Sequence, residues 1–489
     1  MHRLQLDPKI SVSIVFVASM FMSIMDTTIV NVALPSLARQ FGVPTTAIDG
    51  VIVAYLVSLA IVIPVSGWLG DRWGTKRIFL FALTLFCISS ALCGFANSLV
   101  MLVVFRSLQG LAGGAMTPVG TAILYRTFPP AQRVQVSRIL IIPTVIAPAT
   151  GPILGGFLVD QLSWRWVFFV NVPIGIATCL FGLFFLLEHR EPAAGRFDLV
   201  GFLLAGIGLA LVLYALSEGP SYGWGAPSIF GSAIVGLLVL SVFVVVELRT
   251  REPMLDLRLL GDRLFRTTNL VSLFSSAAFL GVLYVAPLFL QEGRGVTALT
   301  SGLTTFPEAL GVVVSTQIVA RLYPNVGPRR LIGFGMIGVA IMMALLYLTG
   351  SNTSLWFMRV LMFMIGAGMA CSFTPVQAAS FATISPAATG RASALFSAQR
   401  QMGSAFGVAV LSTVISVIGA TRLSAAGTVI PNLMAYHAAF LTSSVLALVA
   451  ACIAFTVHDS DAASTMQRRS RSIEPEKVPE QIPSAEVSS

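Results

Sequence analysis

Charge is the scarcest property of this 489-residue chain: Asp, Glu, Lys and Arg make up 10% of it, where soluble domains carry about 25%. Hydrophobic residues make up 56%. That balance excludes an ordinary water-soluble globule. Cysteine is also sparse. Cys87, Cys93, Cys179, Cys371 and Cys452 sit in apolar stretches without paired spacing, which excludes a disulfide framework and reads as small apolar filler. The four histidines are scattered, and only His437 enters an apolar run, so no metal site is expected. No G-x-x-x-x-G-K-[ST] loop is present. "GDRWGTKR" (70–77) has the wrong spacing, and "GFGMIG" (333–338) matches G-x-G-x-x-G inside an apolar run, where close helix packing explains it. No cofactor is therefore implied. Clustered nucleophiles, metal ligands and paired carboxylates are missing too, which argues against a membrane enzyme. A soluble output module, which a receptor needs, is absent. The first apolar run is too long for a signal peptide and lacks an A-x-A cleavage site.

What is abundant is apolar length. Fourteen runs are each long enough to cross a bilayer: 11–35, 47–69, 78–97, 100–125, 136–159, 166–188, 198–217, 228–247, 266–290, 298–320, 329–350, 354–378, 391–419 and 435–457. They are too continuously apolar for the alternating strands of a barrel, so the expected fold is an all-α polytopic membrane protein. With the N-terminus placed in the cytoplasm, 22 of the 30 Lys and Arg fall inside, four outside (Arg39, Arg165, Arg294, Arg422) and four in helices. That is the positive-inside pattern, and the even span count returns the C-terminus to the cytoplasm. The net charge of +9 follows from this topology and needs no nucleic-acid partner.

The chain repeats itself. In "GWLGDRWGTKR" (67–77) and "ARLYPNVGPRR" (320–330), Gly74 aligns with Gly327 and Arg77 with Arg330. In the next span, Arg106 of "RSLQGLAGGAMTP" aligns with Arg359 of "RVLMFMIGAGMACSFTP". Both spacings are 253 residues, the mark of a duplicated six-helix bundle. The expected organisation is a first bundle at 1–188, two inserted helices and a charged linker at 189–265, a second bundle at 266–457, and a disordered cytoplasmic tail at 458–489.

Few ionisable residues enter the spans. Asp26 in the first and Glu308 in the tenth are the acids near mid-membrane, where a charge costs about 2.5–3.5 kcal/mol on insertion scales. Burial disfavours the charged form of a carboxyl, so such groups suit proton exchange or attraction of a cation. Arg106 is a buried cation that must find a partner, with Asp26 the leading candidate. Asn31 is a further polar neighbour of Asp26. "APATGPILGGFL" (147–158) places Gly151, Pro152, Gly155 and Gly156 in the fifth span, a close-packing and bendable seam.

These stretches, with "MDTTIVNVALP" (25–35), "WRWVFFVNVPIG" (164–175) and "GRASALFSAQRQMGSAFG" (390–407), resemble the major facilitator superfamily. More narrowly they resemble its fourteen-helix drug:proton antiporter branch, the EmrB/QacA group, over about residues 1–457. The resemblance implies a major facilitator fold of two six-helix bundles plus two extra helices. It implies a proton-coupled antiporter in the cytoplasmic membrane, exporting hydrophobic or cationic small molecules by alternating access. Asp26, Arg106 and Gln109 would serve proton coupling, and Glu308 would serve cationic cargo. Gly67, Asp71, Arg72, Gly74 and Arg77 would form a conformational latch. Gly151, Pro152, Gly155 and Gly156 would form the motif associated with export. Two positions depart from the pattern: Pro324 stands where the repeat would place an acid matching Asp71, and Gly50 where tryptophan is common. The partners expected are cargo, protons and lipid, with the protein a monomer; no motif specifies an adaptor protein. Export of a natural solute, such as an amino acid, lipid or siderophore, would keep this architecture and change only the cargo.

Overall fold

The computed structural model describes residues 7–466 except 44, 160, 192–196, 251–252, 254, 424–428 and scattered positions between 130 and 153. Thirteen helices among the described residues are long and apolar enough to cross a membrane, and each coincides with one of the expected runs. The first bundle contains α1 (Pro8–Phe41), α2 (Thr45–Trp73), α3 (Thr75–Phe95), α4 (Leu99–Thr127) and α6 (Asn171–Phe185). The described residues between 136 and 161 are helical and form α5. The inserted pair is α7 (Leu199–Tyr222) and α8 (Pro227–Arg249). The second bundle holds α9 (Arg263–Leu288), α10 in two pieces (Ala298–Thr305 and Pro307–Val326), α11 (Pro328–Leu345), α12 (Leu355–Ser380), α13 (Thr389–Ile418) and α14 (Leu433–Ala454). A short antiparallel hairpin, β1 (Thr421–Leu423) with β2 (Val429–Pro431), joins the last two helices.

Local signals set the helix ends. Asp7 caps α1 through a 2.9 Å bond from the Lys9 backbone N–H, and Pro8 occupies the first turn, where no N–H is needed. Ser98 caps α4 in the same manner. α10 is interrupted at Phe306, because Pro307 has no N–H to continue the ladder of the preceding piece.

The duplication reaches the helix boundaries. α2 and the two-piece α10 begin at Thr45 and Ala298 and end at Trp73 and Val326, and α3 and α11 begin at Thr75 and Pro328, all 253 residues apart. A matching device holds each of these turns. Gly74 (φ +105°) and Gly327 (φ +80°) adopt backbone angles open to glycine. The Glu188 carboxylate, just past α6, accepts from the Lys76 N–H at 3.1 Å. Asp459, past α14, accepts from the Arg329 N–H at 2.9 Å. A negative charge thus sits at the N-terminus of α3 and of α11. This corrects the expected tail: order continues to Met466, because Asp459 is engaged here and Thr465 bonds the Tyr323 hydroxyl at 2.8 Å.

Glycine lets the main intrabundle pairs touch backbone to backbone. A Cβ on Gly110 or Gly114 of α4 would strike the Tyr55 or Leu59 carbonyl of α2, and one on Gly403 or Gly407 of α13 would strike Leu273 or Ala277 of α9. This is small-residue packing without a hydrophobic driving force between helices. Across bundles, α13 reaches α2, α4 and the inserted α7, while α8 packs on α7. Trp224 donates to the Thr413 hydroxyl at 2.8 Å, tying the α7–α8 connection to α13.

Gly110→Val should cost on the order of 1–3 kcal/mol by overpacking, seen as a lower melting temperature and loss of the monodisperse gel-filtration peak. Gly338→Ala, whose Cβ meets open space, should leave both unchanged.

Candidate functional site

The described part of the first bundle folds around Asp26. Its side chain is fully buried on α1 and accepts three hydrogen bonds: from Arg106 Nη1 at 2.5 Å, Gln109 Nε2 at 3.0 Å and Asn171 Nδ2 at 2.8 Å. Arg106 also donates to Gln109 Oε1 at 2.8 Å, so α4 presents a guanidinium and an amide to the acid from one helical face, three residues apart. Asn171, at the start of α6, bonds the Ser90 hydroxyl of α3 at 3.2 Å, and Ser90 donates to the Phe168 carbonyl at 2.9 Å. The guanidinium lies 4.3 Å from the centre of the Tyr55 ring of α2, a cation–π contact in a dry site. Elements α1, α2, α3, α4 and α6 therefore converge on one carboxylate–guanidinium pair that is net neutral and no more than 1% exposed. The ionised carboxylate is satisfied, as a buried charge must be.

Of the residues expected here, the structure joins Asp26, Arg106 and Gln109. The side chain of Asn31 lies outside the described residues. Asn171, Tyr55 and Ser90 were not among the expected residues. Asn171 had a readable signal, as a polar residue within "WRWVFFVNVPIG", whereas nothing local marks Tyr55. Glu308 lies apart in the second bundle, in the first turn after the α10 break. It is 2% exposed, and neither carboxylate oxygen has a hydrogen-bond partner among the described residues. Its backbone is pressed against Gly366 of α12, where a Cβ would strike the Glu308 carbonyl.

Two of the residues expected to form the latch, Asp71 and Arg77, have partners from elsewhere in the chain. Asp71 pairs with Arg126 of α4 at 2.7 Å, not with Arg72 or Arg77. Arg72 is exposed and makes no ion pair among the described residues, and Arg77 stands 3.6 Å from Glu188. Asp71 faces the first turn of α13: a Cβ on Gly390 would lie 2.7 Å from its carboxylate, and one on Gly67 would lie 2.6 Å from the Gly390 carbonyl. Nearby, Tyr125 of α4 donates to the Gln377 carbonyl at 2.7 Å and stacks on Phe381 at 4.2 Å. The two bundles are thus in contact at the face rich in Lys and Arg. In α5, a Cβ on Gly151 would strike Thr28 of α1, Gly155 is buried, Gly156 meets open space, and Pro152 lies outside the described residues.

The sequence profile described as Major Facilitator Superfamily matches residues 16–408 and 309–483. The chain belongs to this superfamily. It is 31% identical over 407 residues to the multidrug resistance protein B homolog of Mycobacterium tuberculosis, covering 82% of this chain and 75% of the relative. It is 29% identical over 453 residues to the putative multidrug resistance protein MdtD of Escherichia coli, covering 92% and 96%. Among solved structures, the human organic anion transporter MFSD10 superposes with a TM-score of 0.65 at 18% identity over 92% of this chain and 100% of that one. The proton:xylose symporter XylE superposes at 0.63 and 15%, over 94% and 98%. At such identities the superpositions show the fold alone. This major facilitator transporter therefore has a first bundle organised around an internal ion pair.

Removing either charge of that pair should strand the other. Asp26→Asn should destabilise the detergent-purified transporter by about 3–5 kcal/mol-equivalent, and Asp26→Asn/Arg106→Gln should recover much of it. A double variant melting as low as the sum of the single losses would contradict the pairing.

Proposed function

We propose that this transporter is a proton-coupled antiporter of the fourteen-helix drug-export branch, moving hydrophobic or cationic small molecules out across the cytoplasmic membrane. The names of its multidrug-resistance relatives support the cargo class. The observation that carries proton coupling is the Asp26–Arg106 pair, fully withdrawn from water. Such an acid has two states: ionised and held by Arg106 while the site is closed, or protonated once opening of the bundles lets water solvate the arginine. Rocking of the bundles that exposes Asp26 to one side and then the other would alternate these states and carry one proton against cargo.

In this reading residues 1–188 and 266–457 are the rocking bodies and 189–265 the insertion between them. Both chain ends face the cytoplasm, as the charge bias supports. Asp71, with Gly67, Gly74, Arg72 and Arg77 in its loop, holds the cytoplasmic face closed against α13, because its charge meets the N-terminal end of that helix. Gly151, Pro152, Gly155 and Gly156 supply the α5 seam along which the bundles move. Glu308 is the second acid, an unpaired carboxylate suited to draw a cation into the second bundle.

Two outcomes test this. In everted vesicles with an imposed pH gradient, wild type should accumulate a fluorescent cation and Asp26→Asn, still inserted, should not; unchanged accumulation would remove the proton role from Asp26. Glu308→Gln should impair transport of dications more than monocations, and equal impairment would reject it as a cation site.

A further inference from the structure

Between the bundles lies a second group of polar side chains, distinct from the Asp26 cluster and one that the coupling mechanism does not use. A cavity of about 20 Å³, room for about one water, is walled by Phe16, Met20 and Ile24 of α1 and Phe396 of α13. Thr121 of α4, with Ser397 and Arg400 of α13, brings polar groups to it. Arg400 is the one charged residue lining it. The guanidinium makes no hydrogen bond, ion pair or ring contact among the described residues, and the Thr121 and Ser397 hydroxyls make no hydrogen bond there either. Among the described residues no acid lines the chamber, and the buried acids Asp26 and Asp71 are engaged by Arg106 and Arg126. Gln377, also on the wall, is anchored through its carbonyls by the Tyr125 hydroxyl, which leaves its amide NH2 as a further donor.

Ionisable groups inside a membrane bundle are costly and face a partner or a transport path. Here a fixed cation and uncommitted donors from both bundles converge on an aromatic and aliphatic chamber at the bundle interface. A planar guanidinium matches a carboxylate with two parallel hydrogen bonds. We infer that Arg400 is a specificity residue that receives an anionic end where the cargo has one, so that amphipathic organic acids and zwitterions join the hydrophobic and cationic compounds of the proposed function, the ring or chain lying against Phe16, Met20, Ile24 and Phe396. The inference rests on the transport reading but not on proton coupling. Its counter-charge arrives with the cargo, which accounts for a cation left unpaired when the chamber is collapsed.

The test is equilibrium binding to the purified full-length transporter without any ion gradient, so that failure of proton coupling leaves it untouched. Three probes share one ring system: 1-naphthoate, 1-naphthalenemethanol and 1-naphthylmethylammonium. Wild type should bind the carboxylate more tightly than the alcohol, with a preference on the order of tenfold, the worth of one charge-assisted hydrogen bond. Arg400→Gln should reduce that preference to about one and Arg400→Lys should keep part of it, with gel filtration and melting temperature confirming that both variants are folded. If Arg400→Gln fails to fold, the Arg400→Lys preference and the wild-type ranking still decide. Absence of carboxylate binding, equal affinity for the three probes, or a preference unchanged in either variant would overturn the inference.

Discussion

A carboxylate and a guanidinium removed from water together impose more on this protein than any other contact. Neither Asp26 nor Arg106 tolerates burial alone, so α1 and α4 must meet at one register, and Gln109 and Asn171 must fill the remaining acceptor sites of the acid. Tyr55 closes the other side of the arginine. Glycines in α4 allow α2 to come close enough for this. The first bundle is therefore a cage for one neutral pair, and protonating its acid is a change that would be felt by every helix touching it.

The second bundle repeats the scaffold without repeating the chemistry. The glycine turn before the third helix of each half, and the carboxylate that answers it from beyond the sixth, appear twice, as Gly74 with Glu188 and Gly327 with Asp459. The latch acid is present once: Asp71 meets α13, whereas Pro324 stands at the corresponding place in the other half. Arg106 has Asp26, whereas its repeat equivalent Arg359 lies over the Trp356 ring instead. A duplicated frame has thus been divided, one half built around a closed ion pair and the other keeping an acid, Glu308, and a base, Arg400, whose charged groups have no partner among the described residues.

Much of this was legible in the chain because the bilayer simplifies it. Apolar runs of spanning length have few alternative folds, and each of the thirteen described spans falls on such a run. The repeat spacing survived to the residue at the helix boundaries. Arg106 pointed to Asp26 because a buried cation demands an anion and few are available. What escaped were partners brought together only by tertiary packing. Asp71 chose Arg126, 55 residues away, over the adjacent Arg72, because the adjacent arginine points into solvent while Arg126 is nearly buried beside it. Asp459 looked like the start of a polar tail, since nothing local reveals that its carboxylate sits at the head of α11. Nothing in the sequence around Tyr55 sets it apart from the other aromatics of the spans.

The central claim is that the acid of α1 changes its protonation state while the arginine of α4 stays charged. Isotope-edited infrared difference spectroscopy on the purified transporter, with wild type compared against Asp26→Asn, tests it most directly. The account predicts a carboxylic-acid carbonyl band that appears on acidification, diminishes when cargo binds, and is missing from the variant. A spectrum in which that side chain remains a carboxylate under every condition, or a band that persists in the variant, would contradict it.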